Sequence, residues 1–529
     1  MKTELEAPIP ARREAVPGRA PTRSLRFLPL VLLATIGGVL LATARYGIGL
    51  TPDSVVYVLG ARNLAHGHGY TNNGRIITDF PPGYSAVLSL SEHVGIGAID
   101  AARVIAVLGF VATVALGYVL LRRHCRAPAV IVGATTLLAC SAVLLDVYEK
   151  ALSEHLFIPV TLVFVLLLEE QMSKPRSTAL FICSVVCVWA AFYVRYIGLV
   201  FIIVGALILV VADWKRSRTS ALLRASAFAV IAAAAPILWM LRNVDDGGHP
   251  MGHRSSASAT VFSNASRVLK QVSTWTTTDA GPSVVRALAL IALGGVVVLL
   301  WRGKGTRERE RIDWRPLVPI VVLIVVYVAY LMASASIIAF GSIANTRFMV
   351  PVYVPVVVLG AWAFEQVRAR LDDANLRRLA NVAGVAFVAV NVLWFAARTV
   401  NAEREGAGGY ATARYHDSEI LAASRKLDLT IPTFSNDAPA VAVLTGRTVQ
   451  PSVARTYFNS DDETGKLDNF VHLVTCRGEA QLIWFLPNPR PYVYTPAQLS
   501  KRVSLRAVLQ RRDGTIYDVR PRPDATPCG

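Results

Sequence analysis

A polytopic α-helical membrane protein with one soluble α/β domain at its C-terminus is the fold class the sequence predicts, on three observations. Apolar residues make up 53% of the 529-residue chain and charged residues only 17%, and the apolar ones gather in blocks of about twenty rather than in amphipathic stripes. Basic connections alternate with connections that carry acids, glycine and histidine, as the positive-inside rule requires of successive membrane loops. After Arg398 the composition becomes that of an ordinary soluble domain. The formal charge of +18 therefore reflects cytoplasmic loops, and no nucleic-acid partner is implied.

Residues 1–26, with several prolines and many charges, are expected to be a disordered cytoplasmic tail. The first apolar block, Phe27–Ala44, ends in a sequence that resembles a signal-peptidase site. Its length and the spans that follow favour an uncleaved signal anchor. The next connection, residues 46–98, then faces outward and contains the polar stretch Thr51–Tyr84. Within it Pro81–His93 reads as a short helix lying at the membrane surface. Spans follow at Ile99–Leu121, Ala127–Leu145 and Glu154–Leu168, with a short polar turn at Asp146–Lys150. The long apolar run Ser177–Ala212 is read as two spans meeting at an outer turn around Tyr193–Tyr196. Ala225–Leu241 leads to a second outer loop, residues 242–282. The remaining spans are Val284–Trp301, Pro316–Met332, Phe348–Ala363 and Leu379–Ala397. The count is about eleven transmembrane helices in residues 27–398, with the N-terminus inside. The six inner segments carry 25 Lys and Arg, far more than the outer loops, as an odd count with that orientation requires. Residues 399–529 form the exported domain, in which Ile431–Asp437 and Gln481–Phe485 read as strands ending in loops.

Nucleotide-binding, zinc-protease and serine-hydrolase motifs are absent. The chemistry must come from charged residues at the outer ends of spans: Asp53, Asp79, Glu149, Glu154, Arg195 and Arg347. Asp53 is placed either to cap a helix or to act as a general base, and Asp79 is the alternative acid. Glu154 opens a span, where the helix dipole alone favours an acid. Arg195 and Arg347 lie in or beside apolar runs. There they either snorkel to headgroups or grip a phosphate with paired hydrogen bonds. Acids and arginines together suggest group transfer from a lipid phosphate, whose leaving charge needs compensation. Cys183 and Cys187 share a helix face but have no His or acid partner, so a metal site there is not expected. Cys476 and Cys528 both fall in the exported domain and are expected to form a disulfide.

An ordered set of motifs adds a family resemblance. Asp53 with Tyr57, Gly67-His68-Gly69-Tyr70, Phe80-Pro81-Pro82-Gly83-Tyr84, Ser153-Glu154-His155-Leu156-Phe157, Arg195-Tyr196-Ile197-Gly198-Leu199, and Arg347-Phe348-Met349-Val350-Pro351 with Pro355 follow one another along the chain. The set, over about Phe27–Ala397, resembles the GT-C superfamily of membrane glycosyltransferases, in particular bacterial relatives of protein O-mannosyltransferases and lipid A aminoarabinose transferases. The resemblance implies a GT-C-like fold and an inverting glycosyltransferase in the plasma membrane, using a polyprenyl-phosphate sugar donor at the outer face. The acceptor would be an envelope lipid, glycan or protein. Asp53 matches the catalytic acid of the first loop, Arg195 and Arg347 would hold the donor phosphate, and Tyr57, Tyr84 and Glu154 would line the site. Ser54 stands where many members carry a second acid, so no cofactor is firmly implied and a divalent cation lacks support. The alternative from another class is a multi-span transporter or lipid flippase, which also needs many spans and buried charges.

Overall fold

The computed structural model describes residues 26–72, 74–252, 260–275, 314–337, 346–456 and 463–523. Most of the N-terminal tail, the expected span Val284–Trp301 and Cys528 lie outside the described residues.

The described chain begins with α1 (Leu28–Ala42), α2 (Pro52–Ala65), a two-residue hairpin of β1 (Thr71–Asn72) and β2 (Arg75–Ile76), and α3 (Gly83–Glu92). The bundle continues through α4 (Ala98–His124), α5 (Pro128–Ala139), α6 (Ala142–Tyr148), α7 (Glu154–Ser173), α8 (Thr178–Val194), α9 (Val200–Asp213) and α10 (Arg218–Gly247). After α11 (Val261–Thr274) come α12 (Val318–Ile337), α13 (Tyr353–Arg370) and α14 (Ala374–Glu405). Eight stretches among the described residues are long and apolar enough to cross a membrane. Leu28–Ala42 and Thr178–Val194 are apolar but shorter. Helices therefore occupy every expected span position that is described. The chain is a multi-pass membrane protein, and side chains such as Leu30, Leu108, Val230 and Val385 stand exposed along its flanks, where lipid would cover them.

Two boundaries differ from the sequence reading. The last span does not stop at Ala397: α14 runs to Glu405 and ends at Gly406, whose φ of 102° closes the helix. Nothing between Arg398 and Glu405 breaks a helix, so the change of composition at Arg398 marks where the helix leaves the apolar layer. The stretch Thr51–Tyr84 is likewise not an open loop, because α2, the hairpin and the start of α3 occupy most of it.

The C-terminal region adds α15 (Glu419–Ser424), β3 (Thr433–Ser435), α16 (Ala438–Thr445), β4 (Gln450–Pro451), α17 (Leu467–Arg477), β5 (Ala480–Phe485), β6 (Ser504–Arg511) and β7 (Gly514–Arg520). The sheet order is β4-β3-β5-β7-β6. β4, β3 and β5 run parallel, while β7 is antiparallel to β5 and to β6. All six residues of β5 are buried, as a central strand covered on both faces should be. Edge strand β6 is largely exposed and carries Arg506 and Arg511, charges that discourage pairing with another sheet edge.

The C-terminal region is fastened to the bundle at the start of α2. Gly49 N–H donates to the Glu149 carbonyl at 2.8 Å and Ala151 N–H to the Gly49 carbonyl at 2.8 Å. Leu50 N–H donates to the Gly408 carbonyl at 3.2 Å, and Tyr410 N–H to the Leu50 carbonyl at 2.8 Å. Gly409 has φ 63°, and a Cβ there would stand 2.0 Å from the Leu50 carbonyl oxygen, so only glycine allows this approach. Beside this strap, Arg398 pairs with Asp146 and with the buried Glu149. α16 packs on α2, and its Ala440 and Val443 belong to the same hydrophobic core as the spans.

Candidate functional site

The site is assembled where four polar interruptions of the apolar chain meet at one end of the bundle. The first is the start of α2. Thr51 is its N-cap, with Pro52 in the first turn: Ser54 N–H donates to Thr51 Oγ1 at 3.3 Å and Thr51 N–H to Ser54 Oγ at 3.0 Å. This reciprocal pair satisfies the free amides of the first turn. Asp53 is thus not the cap that its position beside Thr51-Pro52 suggests, and Ser54 serves the cap. The Asp53 carboxylate instead forms an ion pair with Arg347, which opens the span Arg347–Arg370.

The second interruption is the turn before α7. Glu154 has no exposed side-chain surface and receives both guanidinium groups: Arg347 Nε lies 2.8 Å from its Oε1, and Arg195 forms an ion pair with the same oxygen. A bare carboxylate could not be buried here at tolerable cost, and two cations remove that penalty. Arg195, the third interruption, ends α8 in extended backbone (φ −153°, ψ 135°) before a turn of tighter helix at Tyr196–Leu199. That break brings its side chain to Glu154. Arg347 is the fourth, and its separate nitrogens hold Glu154 and Asp53 at once, a division that the planar guanidinium makes possible.

Tyr57, one turn after Asp53 on α2, is buried, and its hydroxyl lies 3.1 Å from Ser153 Oγ. Ser153 Oγ in turn donates to Glu154 Oε2 at 3.3 Å and accepts from Arg195 at 3.4 Å. Burial pushes the Tyr57 phenol up to about 12, with Arg347 and Arg195 pulling the other way, so it stays protonated at neutral pH. Tyr84 stands edge-on to Tyr57 at 5.2 Å between ring centroids, and its hydroxyl is 3.2 Å from His155 Nδ1. Burial raises this phenol too. Gly83, just before it, is a packing requirement: a Cβ would lie 2.6 Å from the Tyr193 carbonyl oxygen. The Pro-Pro-Gly-Tyr motif therefore seats α3 against the end of α8, close to Arg195.

Asp53, Tyr57, Glu154, Arg195 and Arg347 are brought together, and Tyr84 joins them through the Tyr57 ring and His155. Asp79 is exposed and packs against Gly252 in the connection after α10. Beside it the Thr78 carbonyl accepts from the Tyr196 hydroxyl at 2.7 Å, and that hydroxyl also accepts from Asn243 Nδ2 at 2.9 Å. Ser153, His155 and Tyr148 were not singled out as site residues from the sequence. His155 is fully buried, stacks on Tyr148 at 5.2 Å, and its Nε2 lies 3.2 Å from the Val147 carbonyl oxygen. The one sequence signal for Ser153 and His155 is adjacency to Glu154 in Ser-Glu-His, and Tyr148 has none beyond its place in the polar turn Asp146–Lys150. Among the described residues no group of three or more His, Cys, Asp or Glu is arranged to hold a metal ion.

The arrangement offers one partly accessible carboxylate, Asp53, whose side chain is 33% exposed, beside two cations held by a carboxylate that solvent does not reach. Such a site can accept a proton at Asp53 and bind an anion at the arginines.

No family model and no curated protein matches the chain. Solved structures do. ArnT from Cupriavidus metallidurans in the apo state aligns over 93% of this chain and 97% of its own, with a TM-score of 0.61 and 14% identity. The same protein bound to undecaprenyl phosphate aligns over 94% and 98%, again with a TM-score of 0.61 and 14% identity. The archaeal oligosaccharyltransferase AglB from Archaeoglobus fulgidus, in complex with an inhibitory peptide and a dolichol-phosphate, aligns over 87% of this chain and 69% of its own, with a TM-score of 0.50 and 13% identity. At such identities the likeness is one of architecture: the chain shares with these structures the GT-C-like fold that its sequence leads one to expect.

Proposed function

We propose that the protein is an inverting glycosyltransferase of the plasma membrane. It moves a sugar from a polyprenyl-phosphate donor to an envelope lipid, glycan or protein at the outer face. The observation that carries this reading is the contact of Asp53 with Arg347, itself tied with Arg195 to the buried Glu154. The solved GT-C structures with undecaprenyl phosphate and dolichol-phosphate support a lipid phosphate as the ligand of the arginines.

The two carboxylates divide the work by access. Glu154 is buried and doubly paired, so it holds the arginines in place. Asp53 reaches solvent and is the one able to meet an acceptor. A donor phosphate arriving at Arg347 competes for the N–H groups that Asp53 uses, and its binding leaves the Asp53 carboxylate available as base. The acceptor hydroxyl oxygen then attacks the anomeric carbon while the bond from that carbon to the phosphate oxygen breaks. Asp53 takes the hydroxyl proton, the bonding pair leaves with the polyprenyl phosphate, and Arg195 and Arg347 balance the charge gathering there. A single displacement inverts the anomeric centre.

The test is mass spectrometry of envelope glycolipids, glycans and glycoproteins from cells with and without the gene, together with mass analysis of lipids retained by the purified protein. One glycan modification should disappear with the gene, and polyprenyl phosphate should co-purify. An unchanged envelope and a protein that retains no polyprenyl phosphate when it is supplied would remove the reading.

A further inference from the structure

The extended segment Gly49–Leu50 is paired on both sides, and the chain leaving it and the chain leaving one of its partners each lead to a carboxylate of the site. On one side it bridges to Lys150–Ala151, and that chain reaches Glu154 three residues after Ala151. Its own chain reaches Asp53 three residues after Leu50. Both carboxylates then meet Arg347. On the other side stand residues 408–410 of the C-terminal region, joined through Leu50 N–H to the Gly408 carbonyl at 3.2 Å and Tyr410 N–H to the Leu50 carbonyl at 2.8 Å. Two segments thus carry the acids, and a third flanks the one that carries Asp53.

That third segment is held by a buried polar cluster for which the reaction has no other use. Tyr410 is 7% exposed, and its hydroxyl hydrogen-bonds with Asp437 and Arg490. Tyr415 meets the Tyr410 ring edge-on at 5.2 Å between centroids and donates its hydroxyl proton to Asp437 Oδ2. Arg490 lies 3.6 Å from Asp437 Oδ1. Asp437 stands at the N-cap of α16, where its carboxylate would ordinarily accept from the first free amides. No side-chain bond caps α16, however. The carboxylate, on a residue 1% exposed, is turned to the two tyrosines and the arginine instead. A charge so placed costs free energy that only these partners offset. Because α16 also packs on α2, the helix that begins at Asp437 and the segment that Asp437 holds both bear on the element that presents Asp53.

We infer that Tyr410 is a positioning residue for Asp53, clamped from the C-terminal region by Asp437 with Arg490 and Tyr415. The cluster fixes residues 408–410 against Leu50, and Leu50 fixes the first turn of α2, so the place at which the Asp53 carboxylate meets Arg347 is set from the C-terminal region. Glu154 takes its place from the Ala151 bond to Gly49 and from its two arginines, none of which involves the cluster. Loosening the clamp therefore moves the base and leaves the arginines where they are. The inference rests on the reading of Asp53 as the base.

The experiment compares full-length Tyr410→Phe and Asp437→Asn with the parent. Tyr410→Phe removes one hydroxyl and leaves Asp437 its Tyr415 and Arg490 partners, whereas Asp437→Asn removes the charge and keeps the shape. Hydrogen exchange read amide by amide should speed up about tenfold at Leu50 and at position 410. Ala151, whose N–H donates to the Gly49 carbonyl, and the strand β5 should keep parental protection. Product in envelope extracts should fall about ten- to a hundredfold, the scale of a misplaced catalytic group, while undecaprenyl phosphate binds within about twofold of the parent. Parental exchange at both amides in both variants, parental product despite faster exchange, lipid binding lost in step with product, or loss of protection in β5 together with the strap in both variants would each overturn the inference. Asp53→Asn is the control for the reading beneath it. Parental product from that variant would remove the base itself, an outcome that the exchange measurement, which needs no activity, keeps apart from failure of the clamp.

Discussion

The substitution Asp53→Asn separates the chemistry of the site from its architecture, and the structure sets the size of each effect. The cap of α2 is the Thr51–Ser54 pair, so helix initiation does not depend on the Asp53 charge. The ion pair to Arg347 is lost, but the Asp53 side chain is 33% exposed and Arg347 keeps its bond to Glu154. A pair at the solvent edge contributes at most about 1 kcal/mol, and the asparagine oxygen can still accept from Arg347. The folded protein should therefore survive with nearly parental thermal stability. Proton abstraction does not survive, because an amide oxygen is not a base at neutral pH. General-base catalysis contributes about a hundredfold to ten-thousandfold, equivalent to about 3–5 kcal/mol on the barrier. The assay is product level in envelope extracts of cells carrying each variant, alongside thermal unfolding and undecaprenyl-phosphate binding of the purified proteins. A stable, lipid-binding and nearly inactive Asp53→Asn protein is expected, with Asp79→Asn much milder. Near-parental transfer by Asp53→Asn would refute the assignment and hand the base to another group. Collapse of folding would refute the argument that the Thr51–Ser54 pair sustains the cap without Asp53.

Replacing Arg195 or Arg347 with Lys keeps the charge but removes the fork by which Arg347 meets Glu154 and Asp53 together. Undecaprenyl phosphate should bind about tenfold more weakly or worse, and unchanged affinity in a binding titration would show that the arginines are headgroup anchors. Gly409→Val places a β-branched side chain at φ 63° against the Leu50 carbonyl. It should cost about 1–3 kcal/mol in backbone strain alone, so an unaltered unfolding temperature would contradict the strap. Cys476 and Cys528 are expected to form a disulfide that contributes about 4 kcal/mol in the chain-entropy model. Peptide mapping without reductant should recover the linked pair, and two free thiols in protein from an oxidising envelope would remove it. A reporter active only in the cytoplasm, fused after Gly529, should be silent, since the inner N-terminus and odd number of spans expected from the charge pattern would place the C-terminus outside. A signal there would reverse the orientation on which Asp53's access to an outer acceptor rests.

The spans were legible in the sequence because a bilayer imposes a simple rule: without water every backbone group must be satisfied within its own helix, over a fixed thickness. The same local logic placed the short helix beginning near Pro81 and the strands at Thr433–Ser435 and Ala480–Phe485. The sequence also marked Asp53, Glu154, Arg195 and Arg347, the four charges that meet. What it did not determine was which charges meet. Arg347 reaches Asp53 across 294 positions and Glu154 across 193, on elements whose approach depends on how the whole bundle packs. Of the two readings of Asp53, cap or base, the cap falls for the same reason: beside Thr51-Pro52 both are open, and only the Thr51–Ser54 pair and a partner from a distant span show that its carboxylate points elsewhere. The fastening of the C-terminal region to α2 through Gly49, Leu50 and Gly409 had no local signature at all, since backbone pairing across distant segments is indifferent to side-chain type except where glycine is required. Periodicity records the environment each residue meets along its own element, whereas a site made from four interruptions exists only once tertiary packing has brought their ends together.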